Sequence, residues 1–203
     1  MTINLSHALS AFKSPTDREG ETAFFIAHVP WVAPEGYLHV IFKPAPSAAL
    51  TDLSSRLRLP ESIASFLRTQ NGADLFSGSV GVYGVHGRGQ RLNRRNPFAC
   101  FPFNIEDENQ NWPPFDQDRF LSVGGYGFDG SRVCVDRNDS TVHLFKRDLR
   151  TLSENPSYSW DSVGSWLQSE IARLSVLFDK NGRILVKRSE TIPSAHTIGV
   201  KPS

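Results

Sequence analysis

Hydrophobic and polar positions along residues 59–85 predict one helix followed directly by two strands. The apolar residues of the helix recur at the i, i+3, i+4 spacing of a single face: Ile63, Phe66 and Leu67. Asn71-Gly72 comes next, and because both residue types tolerate positive φ, it predicts a left-handed cap at the helix end. Residues 73–76 and 79–85 then form the strands, joined by a turn at Ser77-Gly78.

The same patterns predict further elements before and after this stretch. They are strands at 22–32, 37–42, 120–127, 132–136, 141–145 and 183–187, and helices at 48–56 and 160–178. Most of these strands are joined by short turns, whereas a parallel sheet would need a helix between successive strands. The predicted fold class is therefore α+β, with a mainly antiparallel sheet and helices packed on one side.

The predicted organisation places additions before, within and after one main domain. Residues 1–46 are an N-terminal addition packed on the core, residues 47–178 are the main domain, and residues 179–203 are a C-terminal strand and tail. The main domain carries an insert at about 87–118, where prolines, phenylalanines and Trp112 occur at irregular spacing. This insert is expected to be ordered, with its aromatic side chains packed.

Composition places the chain among ordinary globular proteins. Its 203 residues are 39% hydrophobic and 21% charged, which suffices for a sizeable core. The formal net charge of +1 gives no general attraction to nucleic acid or membrane, and no apolar run approaches the roughly 20 residues that span a bilayer. Residues 1–10 lack a secretory signal pattern. With only two cysteines, Cys100 and Cys134, we expect a cytoplasmic protein with reduced thiols, a bridge between the two being the alternative.

Residues 125–130 match the G-x-G-x-x-G pattern of dinucleotide-binding loops but stand in the wrong context for it. That fingerprint needs a helix directly after the glycines, whereas residues 132–136 alternate as a strand. We therefore predict a wide turn between antiparallel strands, and no cofactor. An alternative role for such a turn is partner contact through Tyr126, Phe128 and Asp129.

No motif for catalysis or metal binding stands out in the sequence. The histidines lack metal-ligand spacing, the cysteines lie far apart, and the acidic residues at 129–139 lack calcium-loop spacing. A Ser-His-Asp triad stays open on composition alone, but no G-x-S-x-G elbow marks a nucleophile. We expect a protein that is not an enzyme and holds no metal.

A basic loop is predicted within the insert. Its arginines lie close together in sequence: Arg88, Arg91, Arg94 and Arg95. They suit an acidic protein patch or phosphates; in a third interpretation the loop is only solvated, and acids at 106–108 partly offset its charge. Because no ladder of aromatic residues accompanies the arginines, direct binding to nucleic acid is not predicted.

Several of these blocks, taken in order, resemble the SMI1/KNR4 family of the SUKH superfamily. The first is the helix, Asn-Gly and strand pair of residues 59–85, and the second is Phe-Leu-Ser-Val-Gly-Gly-Tyr-Gly at 120–127. The hairpin of 132–136 with 141–145 follows, and Ser-Trp-Asp-Ser-Val-Gly-Ser-Trp-Leu at 159–167 resembles the closing helix of the family. The blocks span residues 47–178. Trp31 lies before the blocks and Trp112 lies in the insert between them. Each is either buried packing or a surface anchor.

The resemblance implies a non-enzymatic binding module. Many bacterial members of the family are immunity proteins that bind and neutralise a polymorphic or contact-dependent toxin, so the implied partner is a toxin domain. Because many such toxins are nucleases with basic clefts, the expected complement is an acidic patch. Its best local supply is in the insert: Glu106, Asp107, Glu108, Asp116 and Asp118, which Asp129 and Asp136 would extend. The alternative function is a cytoplasmic scaffold or regulatory adaptor, as in eukaryotic relatives.

Overall fold

The computed structural model describes residues 3–86, 96, 98–148 and 151–194. Within these residues the fold is α+β, with a nine-stranded antiparallel sheet and five α-helices. The predicted fold class and the antiparallel sheet are thereby confirmed. Both cysteines are free thiols, so Cys100 and Cys134 are not bridged.

The helices and strands of the described residues have the following bounds. The α-helices are α1 (Leu5–Ala8), α2 (Ser47–Leu57), α3 (Glu61–Thr69), α4 (Ile105–Asn111) and α5 (Val163–Ser175), with short 3-10 helices at Ser10–Phe12 and Arg188–Thr191. The strands are β1 (Arg18–Glu19), β2 (Ala23–His28), β3 (Tyr37–Phe42), β4 (Ala73–Leu75), β5 (Val80–Val82), β6 (Phe120–Tyr126), β7 (Arg132–Asp136), β8 (Val142–Phe145), β9 (Arg147–Asp148), β10 (Thr151–Leu152) and β11 (Tyr158–Trp160).

Strand order in the sheet follows the chain closely, as β1-β2-β3-β4-β5-β6-β7-β8-β11, and β9 pairs with β10 separately. Every neighbouring pair is antiparallel. Consequently the turns of the β2–β3, β4–β5 and β6–β7 hairpins all lie at the same end of the sheet. We call this region, formed by residues 29–36, 76–79 and 127–131, the hairpin end. Because β3 pairs with β4, the predicted N-terminal addition shares one continuous sheet with the main domain.

The main core forms where helices pack on the sheet. Leu53 of α2, Leu67 of α3 and Trp166 of α5 belong to one buried cluster with strand residues such as Val133. A Cβ at position 124 would lie 2.6 Å from the Trp166 ring, so this close approach of α5 to β6 requires glycine. A second, smaller cluster lies on β2 and β3 and consists of Ala23, Phe25, Tyr37 and Phe42. Phe98 and Cys100 of the insert pack against this cluster.

The predicted left-handed cap at Asn71-Gly72 is wrong. The chain leaves α3 in an extended conformation at Gln70, with φ −151° and ψ 120°. The Asn71 side chain instead accepts from the Val85 N–H at 2.6 Å and donates to the Val85 carbonyl at 2.8 Å. Gly72 does have positive φ, 85°, where a Cβ would lie 2.5 Å from the Val82 carbonyl oxygen. The Asn-Gly pair therefore joins α3 to the sheet instead of capping the helix.

Several other boundaries differ from the predictions. The last helix begins at Val163, because Trp160 belongs to β11. No strand forms at 183–187 among the described residues; Ile184 makes only an isolated bridge with Phe178. The insert contains α4, which the irregular aromatic spacing did not predict, and the Asn104 side chain caps it by accepting from the Glu106 N–H.

Candidate functional site

The turns of the hairpin end are in direct contact with one another. The Gly127 N–H donates to the Ser79 carbonyl at 3.3 Å, and a Cβ at position 127 would clash with the Gly78 carbonyl oxygen. The neighbouring turn is also unusual, since Phe76, Ser77 and Gly78 all have positive φ (53°, 51° and 81°). The buried ring of Phe76 and a hydrogen bond from the Ser77 N–H to the Leu38 carbonyl hold this turn against β3.

Exposed aromatic side chains gather around the hairpin end. Trp31 and Phe128 are 44% and 55% exposed, and the side chains of Phe103 and Trp112 stand exposed on neighbouring segments. Two of these rings lie beneath guanidinium groups: Arg183 is 5.2 Å from the centre of Trp31, and Arg147 is 4.3 Å from the centre of Trp112. Aromatic residues and arginine are the types that dominate binding energy at protein interfaces.

One pocket, of about 240 Å³, opens directly at the hairpin end. We call it the arginine pocket. Its apolar walls and its two arginines come from separate parts of the chain: Trp31, Phe128, Phe178, Ile184, Arg183 and Arg188. Ser77 also lines it, and the Ser77 hydroxyl is shielded from solvent without a hydrogen-bond partner. No acidic residue is found among the described residues that line this pocket.

A buried ion pair in α5 positions the C-terminal wall of the arginine pocket. Arg173 bonds Glu170 at 2.6 Å and also donates to the Thr191 carbonyl at 2.6 Å. Burial raises the pKa of Glu170, while the hydrogen bond and charge of Arg173 oppose that rise. At the start of this wall, Gly182 has a φ of 74°, and a Cβ there would lie 2.8 Å from a methyl group of Val29. Residues 182–191 are thus fixed against the sheet, which places both arginines of the pocket.

A second pocket, of about 230 Å³, adjoins the first and shares Gly78 and Gly127 with it. We call it the Asp74 pocket. Tyr83 and Glu108 form part of its lining and both bond the guanidinium of Arg132, Glu108 at 2.5 Å. These three side chains therefore satisfy one another's hydrogen-bonding groups.

Asp74 is the exception in this pocket. Its Oδ1 is shielded from solvent and has no hydrogen-bond partner. Burial raises its pKa to about 6, although a hydrogen bond from the Gly78 N–H works in the opposite direction. A perturbed carboxyl in a pocket is a feature of many active sites, but no histidine or cysteine lines this one among the described residues.

Three of the seven carboxylates of the predicted acidic patch are paired with arginines of the same chain. Glu106 is paired with Arg56, Glu108 with Arg132, and Asp136 with Arg119. Of the other four members, Asp107, Asp116 and Asp118 are exposed and Asp129 is half-buried. The acidic patch is therefore neutralised only in part.

The predicted aromatic turn is only partly as expected. The turn between antiparallel strands is confirmed, since residues 127–131 join β6 to β7. Phe128 is exposed as predicted, whereas Tyr126 is 2% exposed and hydrogen-bonded to Trp166, so its proposed role as an exposed contact is wrong. The Asp129 carboxylate accepts from the Ser131 N–H at 2.8 Å and its hydroxyl at 2.6 Å.

The basic loop remains a prediction. Arg88, Arg91, Arg94 and Arg95 lie outside the residues that the structure describes. By contrast, no local pattern marked Asp74, Arg183 or Arg188 as site residues, because long-range packing brings them to the pockets. Trp31 and Trp112, left open between core and surface, are both exposed.

Comparison with known proteins finds no relative: no protein-family model, curated protein or solved structure matches the chain. Across the described residues, no group of three or more histidine, cysteine or acidic side chains is arranged to hold a metal ion. In the same part of the chain, no helix has the length and apolar character to cross a membrane.

Proposed function

We propose that this protein is a non-enzymatic protein-binding module that acts as an immunity protein. It would bind a cognate bacterial toxin domain in the cytoplasm and neutralise it by covering the toxin's active site or substrate path. The order of sequence blocks that resemble the SMI1/KNR4 family supports the toxin partner, and a nuclease is one class of toxin that this resemblance implies.

The observation that carries the binding function is the exposed aromatic surface of the hairpin end. Trp31 and Phe128 protrude beside arginines on turns that are held by hydrogen bonds and close glycine contacts. A rigid set of aromatic anchors loses little conformational entropy when it binds, which favours affinity. A monomeric protein also rarely exposes large apolar groups together without a binding role.

Pairing within the Asp74 pocket favours binding over catalysis. Arg132, Glu108 and Tyr83 bond one another, and no histidine or cysteine stands with Asp74 among the described residues that line the pocket. A cytoplasmic scaffold or regulatory adaptor is the second candidate, because the same aromatic surface would serve a partner that is not toxic.

The test is affinity capture with the tagged protein, using purified products of the neighbouring open reading frames. A one-to-one complex with a toxic partner, together with rescue of growth by co-expression, would support the immunity function. If no neighbour is toxic and a non-toxic cytoplasmic protein forms the stoichiometric complex, the adaptor function takes its place. Without any stoichiometric complex, both functions fail.

A matched pair of variants locates the surface. Trp31→Ala/Phe128→Ala removes the aromatic anchors and should weaken the complex at least about 100-fold, as hot-spot residues do. Val176→Ala removes an apolar side chain that is 73% exposed on the C-terminal end of α5, and it should leave affinity unchanged. Equal affinities for both variants would place the interface elsewhere.

A further inference from the structure

We propose that the arginine pocket takes one large apolar side chain from an acidic segment of the partner protein. In such a segment, aspartate or glutamate flanks the apolar residue, and their carboxylates meet Arg183 and Arg188. This inference rests on the proposed function and adds the chemistry of the partner surface that meets the hairpin end.

The size of the pocket favours a side chain over a cofactor. Its volume of about 240 Å³ is below the ~300–1,000 Å³ typical of cofactor and drug-sized ligand sites. Trp31, Phe128 and Ile184 supply apolar walls for a single large residue. The rest of a bound segment would then lie across the turns of the hairpin end.

The charge of the pocket favours an acidic segment. Within the described residues, neither Arg183 nor Arg188 forms an ion pair. Arg183 stacks on Trp31, which orients its guanidinium and leaves its N–H edges for a ligand. Arginine is the side chain best suited to bind a carboxylate through two parallel hydrogen bonds.

The nearest carboxylates are already engaged by backbone groups. Asp179 accepts from the N–H groups of Asn181 and Arg183, both at 2.8 Å. Glu190 accepts from the Lys187 N–H at 3.3 Å, and Asp129 is bound to Ser131. These carboxylates keep their charge, but within the described residues none of them forms an ion pair with Arg183 or Arg188, so both guanidinium groups can bind a ligand carboxylate at the mouth of the apolar pocket.

The unpartnered Ser77 hydroxyl is a second, independent sign of an acceptor-bearing ligand. Ser77 lines the pocket, yet its hydroxyl finds no hydrogen-bond partner in the folded chain. Buried hydroxyl groups are normally satisfied, so an orphan requires an explanation, such as a ligand that binds there. A ligand carboxylate would supply the missing acceptor.

This charge is opposite to that expected from the sequence alone. An acidic patch would meet the basic cleft of a nuclease, whereas the arginine pocket meets an acidic face. For a nuclease partner, the hairpin end would therefore contact an acidic surface beside the basic cleft, and the bound protein would block the substrate path from there.

The first test uses two dyes of the same ring system. The anion 8-anilino-1-naphthalenesulfonate should bind with one-to-one stoichiometry, and Arg183→Gln/Arg188→Gln should weaken it about tenfold or more. The neutral N-phenyl-1-naphthylamine should bind both proteins alike. Arg68→Gln, which changes an exposed arginine on α3, should leave both affinities unchanged. If the double variant binds the anion as the unaltered protein does, the proposal is overturned.

The second test uses peptides with one central tryptophan, flanked by glutamates or by lysines. The acidic peptide should bind the unaltered protein at least about tenfold more tightly than the basic peptide, and the double variant should abolish that preference. Circular dichroism and the melting temperature confirm that the double variant is folded. Equal binding of the two peptides, or tighter binding of the basic one, overturns the proposal.

Failure of this inference is distinguishable from failure of the proposed function. If the captured toxin binds the unaltered protein and the Arg183→Gln/Arg188→Gln variant equally, the immunity function stands and the acidic-segment inference is wrong. If the acidic peptide binds through the arginines but no neighbour is toxic, the inference stands and the immunity function is wrong.

Discussion

At the scale of single residues, His39 and Asp74 make the stability of the fold respond to pH in opposite directions. Burial lowers the pKa of His39 to about 3 and raises that of Asp74 to about 6, whereas unfolded chains have values of about 6.5 and 3.9. Between about pH 4 and pH 6, the native state therefore holds a proton on Asp74 and lacks one on His39. The unfolded state has the reverse arrangement, so the two contributions to pH dependence nearly cancel.

Asp74→Asn should reveal the contribution of the carboxylate. The variant keeps an acceptor for the Gly78 N–H but removes a buried charge, so at pH 7.5 the free energy of unfolding should rise by about 3 kcal/mol. Because the pKa of Asp74 is raised to about 6, the carboxylate destabilises the unaltered protein fully only above about pH 6. The gain in stability of the variant should therefore vanish by pH 4. Urea unfolding at pH 4, 5, 6 and 7.5 measures it. Asp107→Asn, at an exposed position, is the control and should change the free energy of unfolding by less than about 0.5 kcal/mol.

His39→Gln should remove the opposite contribution. The native pKa of His39 is depressed, so the stability that neutral His39 confers is complete above about pH 6.5 and is lost as pH falls toward 3. The difference in unfolding free energy between the unaltered protein and the variant should shrink by about 3 kcal/mol from pH 7.5 to pH 4. The same urea series tests this, and a difference independent of pH would contradict it.

At the scale of elements, the buried Glu170–Arg173 pair connects α5 to the 3-10 helix at Arg188–Thr191. Arg173→Met should lower the free energy of unfolding by about 3–5 kcal/mol, because it leaves Glu170 buried without its partner. The amides of residues 188–191 should also exchange hydrogen faster, since they lose their link to α5. Mass-resolved hydrogen exchange and urea unfolding measure both effects.

A double variant separates loss of charge pairing from loss of packing. Glu170→Gln/Arg173→Met removes both charges and should recover part of the lost stability. Exchange in residues 188–191 should stay fast, because the hydrogen bond to the Thr191 carbonyl is still missing. If the double variant is no more stable than Arg173→Met, the ion pair is not the source of the effect.

The contact between the β4–β5 and β6–β7 turns predicts different stability costs for substituting Gly127 and Gly78. Gly127→Ala should cost about 2–3 kcal/mol, since its Cβ would meet the Gly78 carbonyl and force the turns apart. Gly78→Ala should cost only about 1 kcal/mol. Alanine is strained at the φ of 81° found here, but its added Cβ would have no close neighbour. Thermal unfolding ranks the two variants, and the reverse order would show that backbone conformation, not contact, governs this site.

Elements that were predicted correctly are those whose signals are local. The strand pattern of β7 alternates within five residues, and the apolar face of α3 repeats within one turn. The cap at Asn71-Gly72 was mispredicted because Asn71 bonds Val85, a residue that no local pattern connects to it. The short helix α4 has one buried residue, Ile105, so its sequence carries almost no periodicity.

At the scale of the whole molecule, a net charge of +1 conceals separate charged regions. Glu106 and Glu108 of the insert are paired with arginines, whereas Arg183 and Arg188 at the hairpin end form no ion pair within the part of the chain that the structure describes. Only the arrangement of distant segments reveals this, because the arginine pocket combines residues 31, 77, 128 and 183. Exposed Phe128 was the part of the candidate site that the sequence predicted, since a glycine-rich turn signals its exposure locally.

Strand order also has a consequence for how the protein is made. Each strand from β2 to β8 pairs with the strand synthesised just before it, so a chain leaving the ribosome can extend its sheet in one direction. The arginine pocket is different, because Trp31 emerges early and residues 183–191 emerge late. A newly made molecule can therefore complete this pocket only once residues 183–191 have left the ribosome, after every strand of the sheet has been made.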